Sequence, residues 1–599
     1  MLVAFAALAL AVQARGDSVD LARAADRVLG ARIDGLIGAA VVVVRGDSIV
    51  LAKGYGSAGS SGPVDPDRTL FRAASVGKLF VATAAMQLVQ AGKLDLDRDI
   101  ADYLPELGLK ARGWPRVTMR QLLSHTAGIE DSFVGTIERV ASTATSLADY
   151  FKRHPPTLGR APGEQVNYSN LGVALGALVV ERIAGIRFSE YVAKSIFEPL
   201  AMTHSTYEEP LPAASRALVA GDTTLMRYRL IPYPAGSLVT TASEMGRFVA
   251  AHLNDGTLGK ARILDSAAVA VMHARIWSAN PAMPGVALGF FESEIAGERV
   301  LYHTGSRGHH SALVLVPGRR FGFYAVLDAR EGISSGILDE LTQALLGARW
   351  EGRAASVTAQ ARIDPYVGRY RINMGSSRSF EKLAKLAMGD VLVTRDSSGL
   401  VLHREQAMPL VALDPDLFQT HDGMYVAFHR AADGSVDRMH ASGRLFDGLS
   451  LDRVGVWGNS TLHRVALGGS FLAAWLVTLG TAVALLWRRI RRTAARVPRP
   501  WPRRLTQLAV ALYALSPLPL VVTVLVGAQH GGATVVELAP VVQVVRGILA
   551  VAALVALGAA LAVALGAGAS RPYRWRDAAF AIAAAVVAAV LGYWRFLPY

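Results

Sequence analysis

The stretch Phe71-Arg-Ala-Ala-Ser-Val-Gly-Lys-Leu-Phe80 leads into apolar residues at helical spacing, which predicts a helix over Val76 to Gly92. Residues three apart share one helix face, so Lys78 is expected to lie against the hydroxyl of Ser75. A serine is a weak nucleophile until a base takes its proton, and a buried, neutral lysine can be that base. The alternative is a serine that only caps a helix, with a solvated lysine one turn on.

Two further motifs follow along the chain. Tyr168-Ser-Asn170 precedes a second predicted helix, Leu171 to Ala184, and His303-Thr-Gly305 precedes a predicted strand. Strand pairs are predicted at 39–45 with 48–53 and at 311–317 with 321–327. Strands at both ends of the region with helices between them indicate one α+β unit closed by a sheet.

Longer stretches around these motifs carry a family resemblance. Besides 71–80 they are Gly92-Lys-Leu-Asp-Leu-Asp97, Val117-Thr-Met-Arg-Gln-Leu-Leu-Ser-His-Thr-Ala-Gly-Ile129 and Pro162-Gly-Glu-Gln-Val-Asn-Tyr-Ser-Asn-Leu-Gly172. Together they resemble the penicillin-recognising serine hydrolases, in the branch of class C β-lactamases, D-alanyl-D-alanine carboxypeptidases, D-aminopeptidases and short-chain esterases. The resemblance covers about residues 20–345. It implies a β-lactamase/transpeptidase-like α/β sandwich with an all-helical lobe.

The resemblance also implies catalytic roles. Ser75 would attack a carbonyl and form an acyl-enzyme, while Lys78 assists removal of its proton. Tyr168 would shuttle the proton to the leaving group and activate the water that deacylates the enzyme. Asn170 would orient the substrate or Lys78.

The strand that contains the third motif is expected to bind the substrate. Its residues are His303, Thr304, Gly305, Ser306 and Arg307. The resemblance implies an oxyanion hole made by the backbone N–H groups of Ser75 and Ser306.

His303 departs from the β-lactamase pattern, which has lysine at this position. A lysine is a permanent cation for a substrate carboxylate, whereas histidine is mostly neutral at pH 7. The His-x-Gly sequence is more similar to the peptidase and esterase members, so efficient β-lactam hydrolysis is not expected. Arg307 is the candidate to replace the missing cation.

Other histidines are expected to have structural roles. His125 lies in the Leu-Leu-Ser-His-Thr-Ala-Gly stretch and is interpreted as a residue that fixes a loop. His309 and His310 could join His303 in a metal cluster, but HExxH spacing and nearby carboxylates are missing. The chain contains no cysteine, which excludes disulfides and thiolate chemistry. We therefore expect neither a metal nor a cofactor.

The sequence predicts several segments outside the hydrolase region. A signal peptide is predicted over 1–14, with Val12-Gln13-Ala14 as its cleavage site, before the hydrolase domain at 20–350. A polar linker at 351–362 leads to a small antiparallel β domain at 363–455, where short alternating runs recur between Gly and Asp turns. This domain resembles the lipocalin-like modules of some family members, and our hypothesis is that it shapes or covers the active-site mouth.

Four apolar runs at 464–599 predict a membrane domain. Their approximate bounds are 465–487, 506–527, 547–568 and 578–594. From 455 onward there are fourteen arginines, no lysine and two acids, so this segment accounts for +12 of the total net charge of +14. Basic loops after the first and third runs should remain cytoplasmic, which places the catalytic region and Tyr599 outside.

The expected protein is a multi-pass cell-membrane serine hydrolase whose catalytic domain is extracytoplasmic. Its partners would be the lipid bilayer and small amide, ester or peptide substrates, among them D-amino-acid peptides of cell-wall type. The near-neutral region before 455 argues against nucleic-acid binding. Two alternatives stay open: a short-chain esterase or D-aminopeptidase without a wall role, and a non-catalytic membrane-tethered binding protein for wall fragments or β-lactams.

Overall fold

The computed structural model describes residues 19–491 with short gaps, and a few isolated residues beyond them. The gaps are 60–61, 133–134, 141–143, 222–227, 330–333, 353–362, 378–380, 398, 405 and 444–448, and beyond 491 only 544–545, 547–548, 551, 590 and 592 are described. The predicted signal peptide, most of the predicted linker and, apart from those isolated residues, the last three predicted spans therefore lie outside the described residues.

The described residues divide into two compact units. The first contains those up to Gly375 together with Leu392–Arg453, and the second contains Ser376–Val391 together with those from Val454 onward. The predicted hydrolase region and most of the predicted β domain thus belong to one unit. The predicted domain limits stay predictions.

Six antiparallel strands form the central sheet of the first unit. They are Leu36–Arg45 (β1), Ser48–Gly56 (β2), Phe291–Ile295 (β3), Glu298–Arg307 (β4), His309–Val316 (β5) and Phe321–Ala329 (β6). Their order across the sheet is β2-β1-β6-β5-β4-β3, so the two predicted strand pairs meet where β1 pairs with β6. The predicted α+β unit closed by one sheet is confirmed.

Strand β1 is buried on both faces, because helices cover the sheet on each side. Alternate residues pack into two separate cores. Val42 and Val44 face the core that contains the helix Ala242–Leu253, whereas Val41 and Val43 face the core that contains the helix Ser334–Leu346. A strand covered on both faces has a continuous apolar run instead of an alternating pattern.

A helical lobe packs beside the sheet. Its helices are Lys78–Gln90, Met119–Leu123, Leu147–Arg153, Asn170–Ala184 and Phe188–Val192. The first, called here the nucleophile helix, is buried over most of its length, and the ring of Phe80 stacks on Phe248 with centroids 4.1 Å apart. The predicted helix Val76 to Gly92 is thus shorter at both ends, and a separate 3₁₀ turn, Ala74–Gly77, precedes it.

The remaining elements of the hydrolase region connect the sheet and the lobe. Short strands pair Phe71–Arg72 with Val239–Thr240, Ile137–Arg139 with Tyr228–Leu230 and Thr257–Leu258 with Ala261–Arg262, and further helices are Ala213–Arg216 and Ser266–His273.

A closed eight-stranded barrel occupies the region of the predicted antiparallel β domain. Its strands are Gly368–Ile372, Val391–Asp396, Gly399–His403, Ala407–Asp414, Leu417–Thr420, Tyr425–Arg430, Val436–Ser442 and Leu449–Val454. Aromatic rings, among them Tyr370 and Phe428 with centroids 5.7 Å apart, fill its interior.

The second unit contains two described helices, Lys382–Met388 and Ser460–Ile490. Asp390 Oδ2 accepts hydrogen bonds from the backbone N and the hydroxyl of Ser460 at 2.9 and 2.7 Å, which fixes the start of the long helix. The first predicted span, 465–487, lies within this helix.

In the part of the chain that the structure describes, none of the helices combines the length and the apolarity that crossing a bilayer requires. The four spans stay a prediction.

Candidate active site

A strained turn presents Ser75. Ala74 has a φ of +49°, a conformation that costs energy for any residue with a Cβ and that is concentrated at functional sites. Two side chains hold the turn in place. Ser311 Oγ donates to Ala73 O at 2.8 Å, and Tyr207 Oη donates to Gly77 O at 2.5 Å. Ser75 therefore lies on a braced turn before the helix, not on the helix itself.

Lys78 is buried among three oxygen atoms. Its Nζ lies 2.8 Å from Ser75 Oγ, 2.8 Å from Asn170 Oδ1 and 2.6 Å from Ala235 O. The residue is 1% exposed, and burial lowers the pKa of its amine to about 7, against a smaller opposing effect of Asp131. At neutral pH much of the amine is thus unprotonated and able to accept the proton of Ser75.

Tyr168 also borders the nucleophile. Its ring centroid lies 5.0 Å from Lys78 Nζ. Burial raises the pKa of Tyr168, a hydrogen bond with Ser75 lowers it by less, and Asp131 raises it again. The phenol is therefore neutral and can relay a proton, whereas Lys78 is the group able to accept one directly in the resting enzyme.

Asn170 links Lys78 to a carboxylate that the sequence analysis missed. Asn170 Nδ2 donates to Asp131 Oδ2 at 2.6 Å, and Leu171 N donates to Asp131 Oδ1 at 2.9 Å. The only sequence signal was position, since Asp131 follows the quoted 117–129 stretch by two residues.

The end of β4 runs along the nucleophile turn. Strand β3 pairs with β4 only as far as Tyr302, and no other described strand pairs with the following residues on that side. A Cβ at Gly305 would lie 2.3 Å from Ala73 O and 3.0 Å from Ser75 N, so only glycine allows this approach. Ser306 is exposed and Thr304 half-buried beside it, where the resemblance placed the substrate.

His303 is buried and neutral. Burial, together with the positive charge of Lys78, lowers the pKa of His303 to about 3. Its Nδ1 lies 2.7 Å from Thr304 O, and its Nε2 has no hydrogen-bond partner among the described residues. The structure thus agrees with the expectation that this position supplies no cation.

Arg307 pairs with an acid, and its role toward a substrate carboxylate stays a prediction. Its Nη1 donates to Glu209 Oε1 at 2.8 Å and to Ser237 Oγ at 3.0 Å. Glu209 also lies 3.7 Å from Arg72, and its side chain is 7% exposed. No sequence motif indicates this pair, because the two residues are 98 positions apart.

The other histidines have structural contacts. His125 has a φ of +57°, its Nδ1 accepts from Ser169 N at 3.3 Å, and its ring lies 4.4 Å from that of Tyr168. It fixes the loop before Asn170, as the sequence analysis interpreted it. His309 Nδ1 accepts from Arg72 N at 2.8 Å. Among the described residues no group of three ligand side chains could hold a metal ion.

The barrel contacts the segment that leads into Tyr168. Arg438 Nη1 lies 2.5 Å from Glu164 Oε1, and Asn373 Nδ2 donates to Val166 O at 3.1 Å. These contacts give a physical basis to the hypothesis that the barrel shapes the mouth of the site.

A second barrel contact reaches β3. Ser293 Oγ donates to Gly443 O, and Ser293 lies two residues after Phe291. The Phe291 ring stacks on Tyr168 with centroids 6.3 Å apart. The barrel therefore braces two segments that border the same tyrosine.

Comparison with known proteins places this geometry in a family. The family model described as Beta-lactamase matches residues 25–348, more than half of the chain. This chain belongs to the beta-lactamase family. The family's relatives are serine hydrolases.

Two curated relatives are similar to this chain. Penicillin-binding protein 4 of Amycolatopsis lactamdurans is 30% identical over 337 residues, which cover 52% of this chain and 85% of that protein. Protein flp of Staphylococcus aureus is 23% identical over 336 residues, which cover 54% of this chain and 66% of that protein. The chain thus spans only about two thirds of the length of Protein flp.

One solved structure is similar in fold to more of this chain than the hydrolase region alone. The crystal structure of SurE with D-Leu has a TM-score of 0.54 at 23% identity, and it covers 73% of this chain and 100% of its own.

The pKa of Lys78 predicts the pH dependence of acylation. The reactive form is the neutral amine, so the acylation rate should rise with pH through about 7 and level off above it. The measurement is the burst rate constant in stopped-flow experiments between about pH 5.5 and 9. Lys78→Arg should lose the burst over the whole range, since arginine stays protonated. A rate independent of pH across 7 would contradict this role of Lys78.

The barrel contacts predict a loss of activity at a distance. The double variant Arg438→Met/Asn373→Ala should reduce the acylation rate about 10-fold or more. It removes the contacts with Glu164 and Val166 that hold the segment before Tyr168 in position. The matched control is Arg430→Met, which removes an exposed arginine of the same barrel that pairs with Asp416. Equal kinetics in both variants and the wild type would show that the barrel does not shape the site.

Proposed function

We propose that this chain hydrolyses small amides or esters outside the cytoplasm through an acyl-enzyme on Ser75. The observation that supports it most is the 2.8 Å approach of Ser75 Oγ to the buried amine of Lys78. A serine hydroxyl beside an unprotonated amine is a nucleophile paired with its base.

The first half-reaction follows from the positions of these groups. Lys78 takes the hydroxyl proton while Ser75 Oγ attacks the substrate carbonyl. The oxyanion is stabilised by the backbone N–H groups of Ser75 and Ser306, which lie at the crossing of the turn and β4. The ammonium of Lys78, through Tyr168, then returns the proton to the leaving amine or alcohol, and the acyl-enzyme remains.

The second half-reaction uses the same groups with water. Lys78, again through Tyr168, takes a proton from water, and the hydroxide attacks the acyl carbonyl. Collapse of the intermediate breaks the bond to Ser75 Oγ, which regains the proton. The enzyme returns to its starting state without a cofactor.

The charges around the site favour a substrate without a carboxylate. His303 is neutral, and Arg307 is paired with Glu209. Among the described residues of the site, no cation stands where the resemblance has the lysine of β-lactamases. Small neutral amides and esters are therefore favoured over carboxylate-bearing β-lactams, and among D-amino-acid peptides of cell-wall type those without a free terminal carboxylate are the ones to test first.

The site geometry weighs against the non-catalytic alternative. A binding protein gains nothing from a lysine whose charged form is destabilised by burial. An esterase or D-aminopeptidase without a wall role would use the same groups, so substrate screening decides between these two enzymes.

A burst experiment tests the proposal. Stopped-flow hydrolysis of p-nitrophenyl acetate by the full-length protein should release a burst equal to the enzyme concentration, because acylation outpaces deacylation in such a mechanism. Ser75→Ala should show no burst. Ser48→Ala, at the exposed first residue of β2, is the matched control and should behave as wild type. A burst that survives in Ser75→Ala would refute Ser75 as the nucleophile.

We also propose that the chain is a multi-pass membrane protein with its catalytic region outside. The support is the charge pattern: the loop at 488–504 contains eight arginines, whereas the loop at 527–540 contains no lysine or arginine.

A reporter fused after Tyr599 tests this topology. A reporter active only in extracytoplasmic compartments should be active there, because four spans return the chain to the side on which it started. The same reporter fused after Arg496, in the basic loop, is the control and should be inactive. The reverse pattern would overturn the topology.

A further inference from the structure

The function of Lys78 as a base depends on where its lone pair points. A neutral amine has two N–H groups and one lone pair. Ala235 O, at 2.6 Å, can only accept, so it takes one N–H. If Asn170 presents its Oδ1, at 2.8 Å, it takes the other, and the lone pair is left facing the hydroxyl of Ser75.

The amide of Asn170 could in principle be reversed. Its NH₂ group would then face Lys78 and occupy the lone pair, and Ser75 would lose its base. Something must therefore fix which end of the amide faces the amine.

Asp131 lies at the other end of that amide. Its Oδ2 accepts from Asn170 Nδ2 at 2.6 Å, and its Oδ1 accepts from Leu171 N at 2.9 Å. Asp131 is 4% exposed, and burial raises the pKa of its carboxyl, while the hydrogen bonds from Leu171 and Asn170 and the charge of Lys78 act against that rise. An ionised carboxylate can only accept hydrogen bonds, so the NH₂ end must face Asp131 and the oxygen end must face Lys78.

We propose that Asp131 is a positioning residue: acting through Asn170, it keeps the lone pair of Lys78 on Ser75 and stabilises the ammonium that forms when Lys78 takes the proton. This inference rests on the proposed role of Ser75 and Lys78. It assigns a function to a side chain that touches neither the nucleophile nor the substrate.

The surrounding groups leave Asp131 as the acid that acts on Lys78. The other titratable groups that face the amine are Tyr168, His125 and His303. Burial keeps the phenol protonated and lowers the pKa of both histidines, so all three are neutral at pH 7. Asp131 raises the pKa of Lys78 against the effect of burial.

The test is Asp131→Asn in the full-length protein. Loss of a charge-assisted hydrogen bond should reduce the plateau acylation rate about 10- to 100-fold. Loss of the negative charge should also lower the pKa of Lys78, so the acidic limb of the pH–rate profile should move to lower pH. A purely structural lesion would lower the rate or the stability without moving the limb in that direction.

A second variant keeps the hydrogen bond and reverses the charge pattern. The double variant Asp131→Asn/Asn170→Asp keeps a carboxylate and an amide in contact, but the carboxylate now lies next to the amine of Lys78. The acidic limb should then move to higher pH, the opposite direction. This pair also gives a result if the single variant folds poorly.

Two readouts separate this inference from the proposed function. The pKa of Lys78 can be read directly from its ¹³Cε resonance, assigned with Lys78→Ala, without any substrate. An unchanged pKa in Asp131→Asn would overturn the inference even if the burst is normal. No burst in the wild type would overturn the proposed function, while the shifts in the Lys78 pKa would still be expected.

Additivity provides the last check. In an Asn170→Ala background, Asp131→Asn should lower the plateau acylation rate by less than about 3-fold, because the amide that Asp131 orients is gone. Full additivity of the two effects would show that Asp131 does not act through Asn170.

Discussion

The structure of the site depends on keeping one lysine buried. Removing an ammonium group from water costs free energy unless other groups accept its hydrogen bonds. At Lys78 this cost is reduced in two ways: burial favours loss of the proton, and three oxygen atoms lie within hydrogen-bond distance of the amine. Each neighbour comes from a different part of the fold: Ser75 from a turn, Asn170 from a helix start and Ala235 from a 3₁₀ turn between two short strands. The sheet and the lobe must therefore pack in one arrangement for the base to exist.

The same constraint explains the role of Arg307. With Glu209 and Ser237 it holds the segment that includes Ala235, whose carbonyl accepts from Lys78. A cation that appears from sequence to be available for substrate is thus part of the frame around the base. The barrel acts similarly from outside, since Arg438 and Asn373 hold the segment before Tyr168.

The sequence predicted those parts of the site that lie within short motifs. Ser75 and Lys78 are three residues apart, and the 3₁₀ turn Ala74–Gly77 that leads into the helix at Lys78 brings them together much as one helical turn would. The strand pairs followed from their apolar runs. The contacts that were not predicted link residues far apart in the sequence: Asp131 with Asn170, and Arg307 with Glu209. Whether such residues are buried, and which residue each one pairs with, depends on how the whole fold packs. No local sequence pattern specifies either property.

The histidine at position 303 shows how the parts depend on one another. A lysine there would place a second cation near Lys78, and repulsion between two buried ammonium groups would push the pKa of each further down. The carboxylate of Asp131 would then have to offset two positive charges. With a neutral His303, Asp131 opposes burial alone, and the amine of Lys78 stays near the pH at which it can both accept a proton from Ser75 and return it to a leaving group. His303 therefore has two effects. It weakens recognition of a substrate carboxylate, and it leaves Lys78 able both to accept a proton and to return it.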